Sequence, residues 1–296
     1  MPILFLLLPD FLLILLGALL FRHVDFGHDF WPGLEKLVYF VLFPALLFYA
    51  TSRTPFDFGH SGRLLQTALL ATAAGIALGW LAKPLFSVGP MLFESAVQTA
   101  FRFNSYIALA LASRIGGEAA TSLVALLIGF AVPICNMAAV HALARGKGSV
   151  GLAMLKNPLL IATVAGVSCN LASLHIPDVA GATLSRLGNA SIALGLITVG
   201  AGLRLRTAKS ANHLAAYFIT VKLIALPAIA YGIGRWLELP AQHLQLVVMF
   251  CALPTASSAY VLAARMGGDG PFVAYIVSTG TVLSALTLPL WLLLVS

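Results

Sequence analysis

A chain of 296 residues that is 60% hydrophobic and only 9% charged, with a mean hydropathy of +0.99, has the composition of a polytopic membrane protein and excludes an ordinary soluble domain. The formal charge of +7 does not signal nucleic acid. The 17 Lys and Arg fall mostly in short gaps between apolar runs, where they set topology, and no basic patch carries interleaved aromatics.

The first stretch, MPILFLLLPDFLLILLGALLF, has no basic leader and no small-residue cleavage site, so it reads as a membrane helix rather than a signal peptide. Spans need about 17–25 mainly apolar residues. Ten segments qualify: 2–21, 34–52, 63–83, 91–113, 119–143, 157–175, 183–203, 213–236, 241–264 and 270–295. With the N-terminus outside, the inside gaps hold ten cations (Arg22, Lys36, Lys83, Arg145, Lys147, Lys156, Arg204, Arg206, Lys209 and Arg265) and the outside gaps five. That excess predicts both termini outside, in the cytoplasmic (inner) membrane if the source is bacterial.

Segment four holds Phe101–Glu118, FRFNSYIALALASRIGGE, with Arg102, Asn104, Ser105 and Tyr106 in an otherwise apolar run. An Arg at the bilayer centre costs about 2.5–3.5 kcal/mol on insertion scales. Polar or irregular backbone at that depth is tolerated where protein or a water-filled cavity surrounds it. The end of this stretch, Ser113-Arg-Ile-Gly-Gly-Glu118, recurs 151 residues later as Ala264-Arg-Met-Gly-Gly-Asp269. Leu34–Leu37 with Leu184–Leu187, and Pro9 and Gly17 with Pro158 and Gly166, follow with slight drift. Five spans per half is an odd number, so the second half enters the membrane inverted, an arrangement of secondary transporters. The expected fold is therefore all-α, with ten transmembrane helices in two inverted five-helix repeats, 1–143 and 157–296. Helices four and nine are expected to break in corresponding places. The repeat sets Phe103–Tyr106 beside Pro254–Ser257, and Pro254 predicts the second break because it lacks a backbone donor. Gly116-Gly117 and Gly267-Gly268 read as tight turns.

Five stretches resemble the auxin efflux carrier family, whose plant members are the auxin-exporting PIN proteins. They are Leu37-Val-Tyr-Phe-Val-Leu-Phe-Pro44, Asn157-Pro-Leu-Leu-Ile161, Lys222-Leu-Ile-Ala-Leu-Pro227, Pro254-Thr-Ala-Ser-Ser-Ala-Tyr260 and Leu283-Ser-Ala-Leu-Thr-Leu-Pro289. The resemblance covers essentially the whole chain. It implies a scaffold of helices one, two, six and seven, which often dimerises. It also implies a moving transport part of helices three to five and eight to ten, and small organic anions such as auxin, malate or malonate as substrates. The implied fold, in which the broken helices four and nine cross, is also similar to that of the bile acid–sodium symporters. Two departures stand out. The first crossover commonly carries a proline, where this chain has Phe103 and Asn104. The gap after helix five is short, about Leu143–Lys156, as suits a prokaryotic-type carrier rather than a plant auxin exporter.

The clear ionisable residues within spans are Asp10, Arg102 and Lys222. Such groups point to function by default. Arg102 is the first candidate for a substrate carboxylate, because its planar fork matches one bidentately. The alternative is an ion pair with Asp10 or Glu94. Asn104, Ser105, Thr255, Ser257 and Ser258 are candidate donors or helix caps, with Pro254 at the break, and Tyr106 and Tyr260 line or fill the cavity. Lys222 and Asp10 are candidates for coupling or charge compensation, or form a static pair with each other. Gln98 and Asn136 read as helix-bridging polar groups. Cys135, Cys169 and Cys251 read as small buried hydrophobes, because their number is odd and no CxxC occurs.

No nucleotide-binding loop, catalytic constellation, metal spacing or cofactor motif is found, so no enzymatic role, metal or cofactor is assigned. The expected activity is secondary active transport of a small organic anion by alternating access, coupled to protons or to the membrane potential. The expected partners are the anion, the lipid bilayer and a second copy in a homodimer. A sodium-coupled organic acid symporter and a ligand-binding membrane sensor without flux are the competing readings.

Overall fold

The computed structural model describes residues 3–27, 29–53, 58–143, 158–174, 176–202, 212–256 and 258–295. Among these every regular element is a helix. In chain order they are α1 (Ile3–His23), α2 (Phe30–Leu37) and α3 (Phe43–Arg53) joined by a π turn at Val38–Leu42, and α4 (Phe58–Leu85). Next come α5 (Pro90–Ala96), continued as a tighter 3-10 turn over Val97–Ala100, α6 (Ser105–Leu143), α7 (Pro158–Leu171) and α8 (Asp178–Ala201). Then follow α9 (Asn212–Thr220), a second π turn at Val221–Ala225, α10 (Leu226–Trp236), α11 (Ala241–Ala252), α12 (Ser258–Arg265) and α13 (Gly270–Val295).

Among the described residues, six helical stretches are long and apolar enough to cross a membrane: Phe30–Tyr49, Ser61–Leu85, Pro90–Leu143, Asp178–Ala201, Asn212–Trp236 and Gly270–Val295. Pro90–Leu143 contains two of the expected segments, 91–113 and 119–143. They separate at Gly116 and Gly117, where φ/ψ of −147/22 and 59/−143 leave the helical region. Only glycine adopts the second pair without strain. The expected segment 241–264 is cut by its break into α11 and α12, each too short to span alone.

Both π turns have the same cause. Each ends two residues before a proline, Pro44 or Pro227. Proline offers no N–H to the carbonyl one turn back and crowds it, and the wider turn relieves that crowding. At the second turn the Leu223 carbonyl, to which Pro227 can offer no N–H, accepts Trp291 Nε1 at 2.9 Å.

The chain folds as two compact units. The first comprises Met1–Asp57, Ser105–Phe130 and Leu152–Gly202. In it α1 packs on α8, and α3 packs on α7 and α8. These crossings are close because glycines sit at them. Gly17 lies against the Ile197 carbonyl and Gly200 against the Ile14 carbonyl, with no room for a Cβ at either. Small residues at helix crossings are how membrane helices gain packing without a hydrophobic driving force. Leucines at 12, 15, 16 and 19 of α1 stay exposed, as lipid-facing positions do.

The second unit comprises Phe58–Asn104, Ala131–Gly151 and Leu203–Ser296. Here α10 packs on α4 and α11, and α13 packs on α11 and α12. Gly267, with φ of +75, ends α12, and Gly268 N–H returns to the Ala263 carbonyl at 2.8 Å. This is the six-to-one closure of a Schellman motif. Asp269 then caps α13 through Oδ1 to the Phe272 N–H at 2.9 Å, while its own N–H donates to Ser95 Oγ at 2.7 Å. Gly267-Gly268 is a turn, as its sequence suggested, whereas Gly116-Gly117 is a kink within α6.

Candidate functional site

Two helices of the second unit stop inside the protein. The α5 stretch ends at Ala100, and Phe101–Asn104 runs irregularly. The α11 helix ends at Ala252, and Leu253 turns to an extended ψ of 144. Both breaks are buried, and they touch. The Asn104 N–H donates to the Pro254 carbonyl at 2.8 Å, and Thr255 Oγ1 donates to the Thr99 carbonyl at 2.7 Å. Backbone groups freed by the breaks therefore satisfy one another, as a buried polar backbone requires. Phe103 and Phe250, with ring centroids 4.3 Å apart, pack beside the same crossing.

Arg102 lies within this crossing and is 9% exposed. Its Nη1 donates to Gln98 Oε1 at 3.1 Å, and Gln98 Nε2 donates to the Ser95 carbonyl at 3.0 Å. The second bond fixes which way the Gln98 amide faces, so its oxygen is held toward the guanidinium. Gln98 was expected to bridge helices; instead it braces Arg102 from within the same broken segment. The residues are four apart, and that spacing was the available signal.

Lys222 is 2% exposed and stands in the second π turn. Its Nζ donates to the Cys251 carbonyl at 2.6 Å. Cys251 precedes the last residue of α11, so the ammonium meets the negative end of a helix dipole. Cys135 lies within the electrostatic reach of both Arg102 and Lys222, and its thiol donates to the Phe101 carbonyl at 3.5 Å. Cys135 and Cys251 are buried, as their apolar surroundings suggested, while Cys169 is only partly so.

The candidate residues thus sort by place. Arg102, Asn104, Pro254, Thr255 and Lys222 belong to the second unit and gather around the two breaks. Thr255 uses its hydroxyl to cap the first break. Ser105 and Tyr106 begin α6 in the first unit and are half-buried. Tyr106 packs edge-on against Phe43 with centroids 4.9 Å apart and lies against Gly195, where a Cβ would come within 2.5 Å of its ring. Ser257 lies outside the described residues, as do the side chains of Asp10 and Ser258. Among the described residues no cluster of His, Cys, Asp and Glu could hold a metal.

Comparison with known proteins follows the same direction. The model of a family described as "Membrane transport protein" matches residues 141–292, just over half of the chain. A protein of Rhizobium meliloti (strain 1021) named "Putative malonate transporter" is 26% identical over 281 residues, covering 88% of this chain and 86% of its own. An "Uncharacterized transporter" of Methanothermobacter thermautotrophicus is 31% identical over 134 residues, 45% of this chain and 44% of its own. The chain is an integral, multi-pass membrane protein and belongs to the membrane transport protein family, that of the auxin efflux carriers.

Proposed function

We propose that the protein is a secondary active transporter that moves a small organic anion, a mono- or dicarboxylate of the malonate or malate class, by alternating access. The observation that carries this reading is the burial of two cationic side chains, Arg102 and Lys222, at two broken and touching helices. Retaining a cation at membrane depth costs about 2.5–3.5 kcal/mol. An anionic substrate offsets that cost when bound. Arg102 is the carboxylate-binding group, with Asn104 as its neutral neighbour. Lys222 supplies charge compensation. The relative named for malonate, alike over most of both chains, favours a small dicarboxylate over a bulky aromatic acid.

Ten crossings in two inverted five-helix halves, with both termini outside and coupling to protons or to the membrane potential, complete the reading. The kink at Gly116-Gly117 and the break between α11 and α12 fit that count. The test is uptake of labelled malonate into proteoliposomes under an imposed pH gradient or potential. Uptake competed by malate and abolished by Arg102→Ala is expected. Binding without flux would favour a sensor, and a strict sodium requirement a symporter. Absence of carboxylate binding would overturn the reading.

A further inference from the structure

A helix end inside a protein leaves its last carbonyls without intrahelical donors and carries partial negative charge. In membrane carriers the C-terminal ends of half-helices are places where coupling cations are coordinated. The α11 helix has such an end, and it is occupied by a side chain. The Cys251 carbonyl accepts Lys222 Nζ at 2.6 Å, and both residues are buried. The thiols of Cys251 and Cys135 lie near this ammonium, and the hydrogen bond it makes is to the backbone at the helix end.

The placement is built from three elements. The π turn Val221–Ala225 carries the lysine, α11 supplies the carbonyl, and Trp291 of α13 anchors the turn through the Leu223 carbonyl. The other broken helix differs, since its end carbonyl at Phe101 accepts the neutral thiol of Cys135. The Arg102 guanidinium lies beside that first break, but the hydrogen bond shown to the Phe101 carbonyl comes from a thiol, whereas the α11 end receives its hydrogen bond from the charged group itself. A need for hydrogen bonding alone would be met by either.

We propose that the carbonyl end of α11 is a monovalent-cation site that the chain fills with its own Lys222 ammonium. The positive charge that such a half-helix otherwise takes from a bound alkali ion is here covalently attached. The inference deepens the transport reading and rests on it for its functional meaning. It implies that the intact protein needs no sodium to bind its anion. It also implies that removing the side chain opens a place for a small cation, either an alkali ion or a primary ammonium.

The test uses the purified full-length protein as wild type, Lys222→Ala and Lys222→Gln. Each is melted in choline chloride, which is too large for the site, and then with sodium, potassium or methylammonium chloride at constant ionic strength. Lys222→Ala should melt below wild type and rise by a few degrees, saturably, with at least one small cation. Wild type should not respond. Lys222→Gln offers a neutral donor and should remain low. The proposal is overturned if Lys222→Gln melts like wild type, since a hydrogen bond alone would then suffice, or if Lys222→Ala gains nothing from any cation. Should Lys222→Ala fail to fold, malonate binding by the wild type decides: equal affinity in sodium and choline is expected, and a sodium requirement overturns the inference. Absence of malonate binding in every salt would count against the transport reading and leave the melting comparison to judge the cation site.

Discussion

Arg102 Nη1 rests on Gln98 Oε1 at 3.1 Å, and Gln98 is itself held by the Ser95 carbonyl at 3.0 Å. The guanidinium is therefore aimed before any ligand arrives. Pre-aimed donors lose less freedom on binding than mobile ones. Gln98→Leu keeps the bulk but removes the acceptor, and a hydrogen bond to a charged group contributes about 1.5–3 kcal/mol. Malonate affinity should fall by about tenfold or more on that scale, with the fold retained. Gln98→Glu should do worse, since its carboxylate competes with the substrate for Arg102. Calorimetric titration of both variants checks this, and unchanged affinity in both would release Gln98 from the site.

Thr255 caps the first break through the Thr99 carbonyl. Thr255→Val is nearly isosteric but leaves that buried carbonyl short of a donor, at a cost of about 1–3 kcal/mol. The melting temperature should drop by several degrees while anion affinity changes little. A loss of affinity without a loss of stability would instead make the hydroxyl a substrate contact.

Trp291 and Pro227 are coupled through one carbonyl, that of Leu223. Trp291→Phe should destabilise the protein by about 1 kcal/mol or more, because that carbonyl loses its donor. Pro227→Ala restores a backbone N–H that can serve it. The two substitutions should therefore be non-additive in denaturant or thermal melts, with the double variant losing less than the sum. Additive losses would mean that the π turn does not depend on the indole.

Most of the helical frame was legible because apolar runs and their punctuation are written in side chains. Segments 63–83, 213–236 and 270–295 fall within observed helical stretches for that reason. The breaks were legible as well. Arg102 and Asn104 interrupt one apolar run and Pro254 the other, and no uniform membrane helix would hold them. The partners of the site residues were less so. Lys222 and Asn104 bond to backbone carbonyls, of Cys251 and Pro254, and the identity of a residue does not reveal that its carbonyl is exposed at a helix end. Asp10 was the visible candidate for Lys222 because it carries charge, and its side chain lies outside the described residues; the helix end that meets Lys222 carries its charge in the backbone and left no mark in the sequence. The π turns before Pro44 and Pro227 were not anticipated, although a proline within an apolar run was the available signal.

The close approach of α1 and α8 rests on Gly17 and Gly200. Gly200→Val would drive a branched side chain into the Ile14 carbonyl, a backbone atom that cannot swing aside. Overpacking costs about 1–3 kcal/mol where neighbours can yield, and more where they cannot. Folded protein recovered from membranes should fall sharply, while Gly232→Val, with no atom near its Cβ position, should be recovered at close to the wild-type level.

Anion recognition by Arg102 is measured most directly by isothermal titration of the purified protein with malonate, comparing wild type, Arg102→Lys and Arg102→Ala. Saturable binding by the wild type is expected, with partial loss in Arg102→Lys, which keeps the charge but not the fork, and loss of about 100-fold or more in Arg102→Ala. Arg102→Ala that folds and binds malonate as tightly as wild type would contradict it.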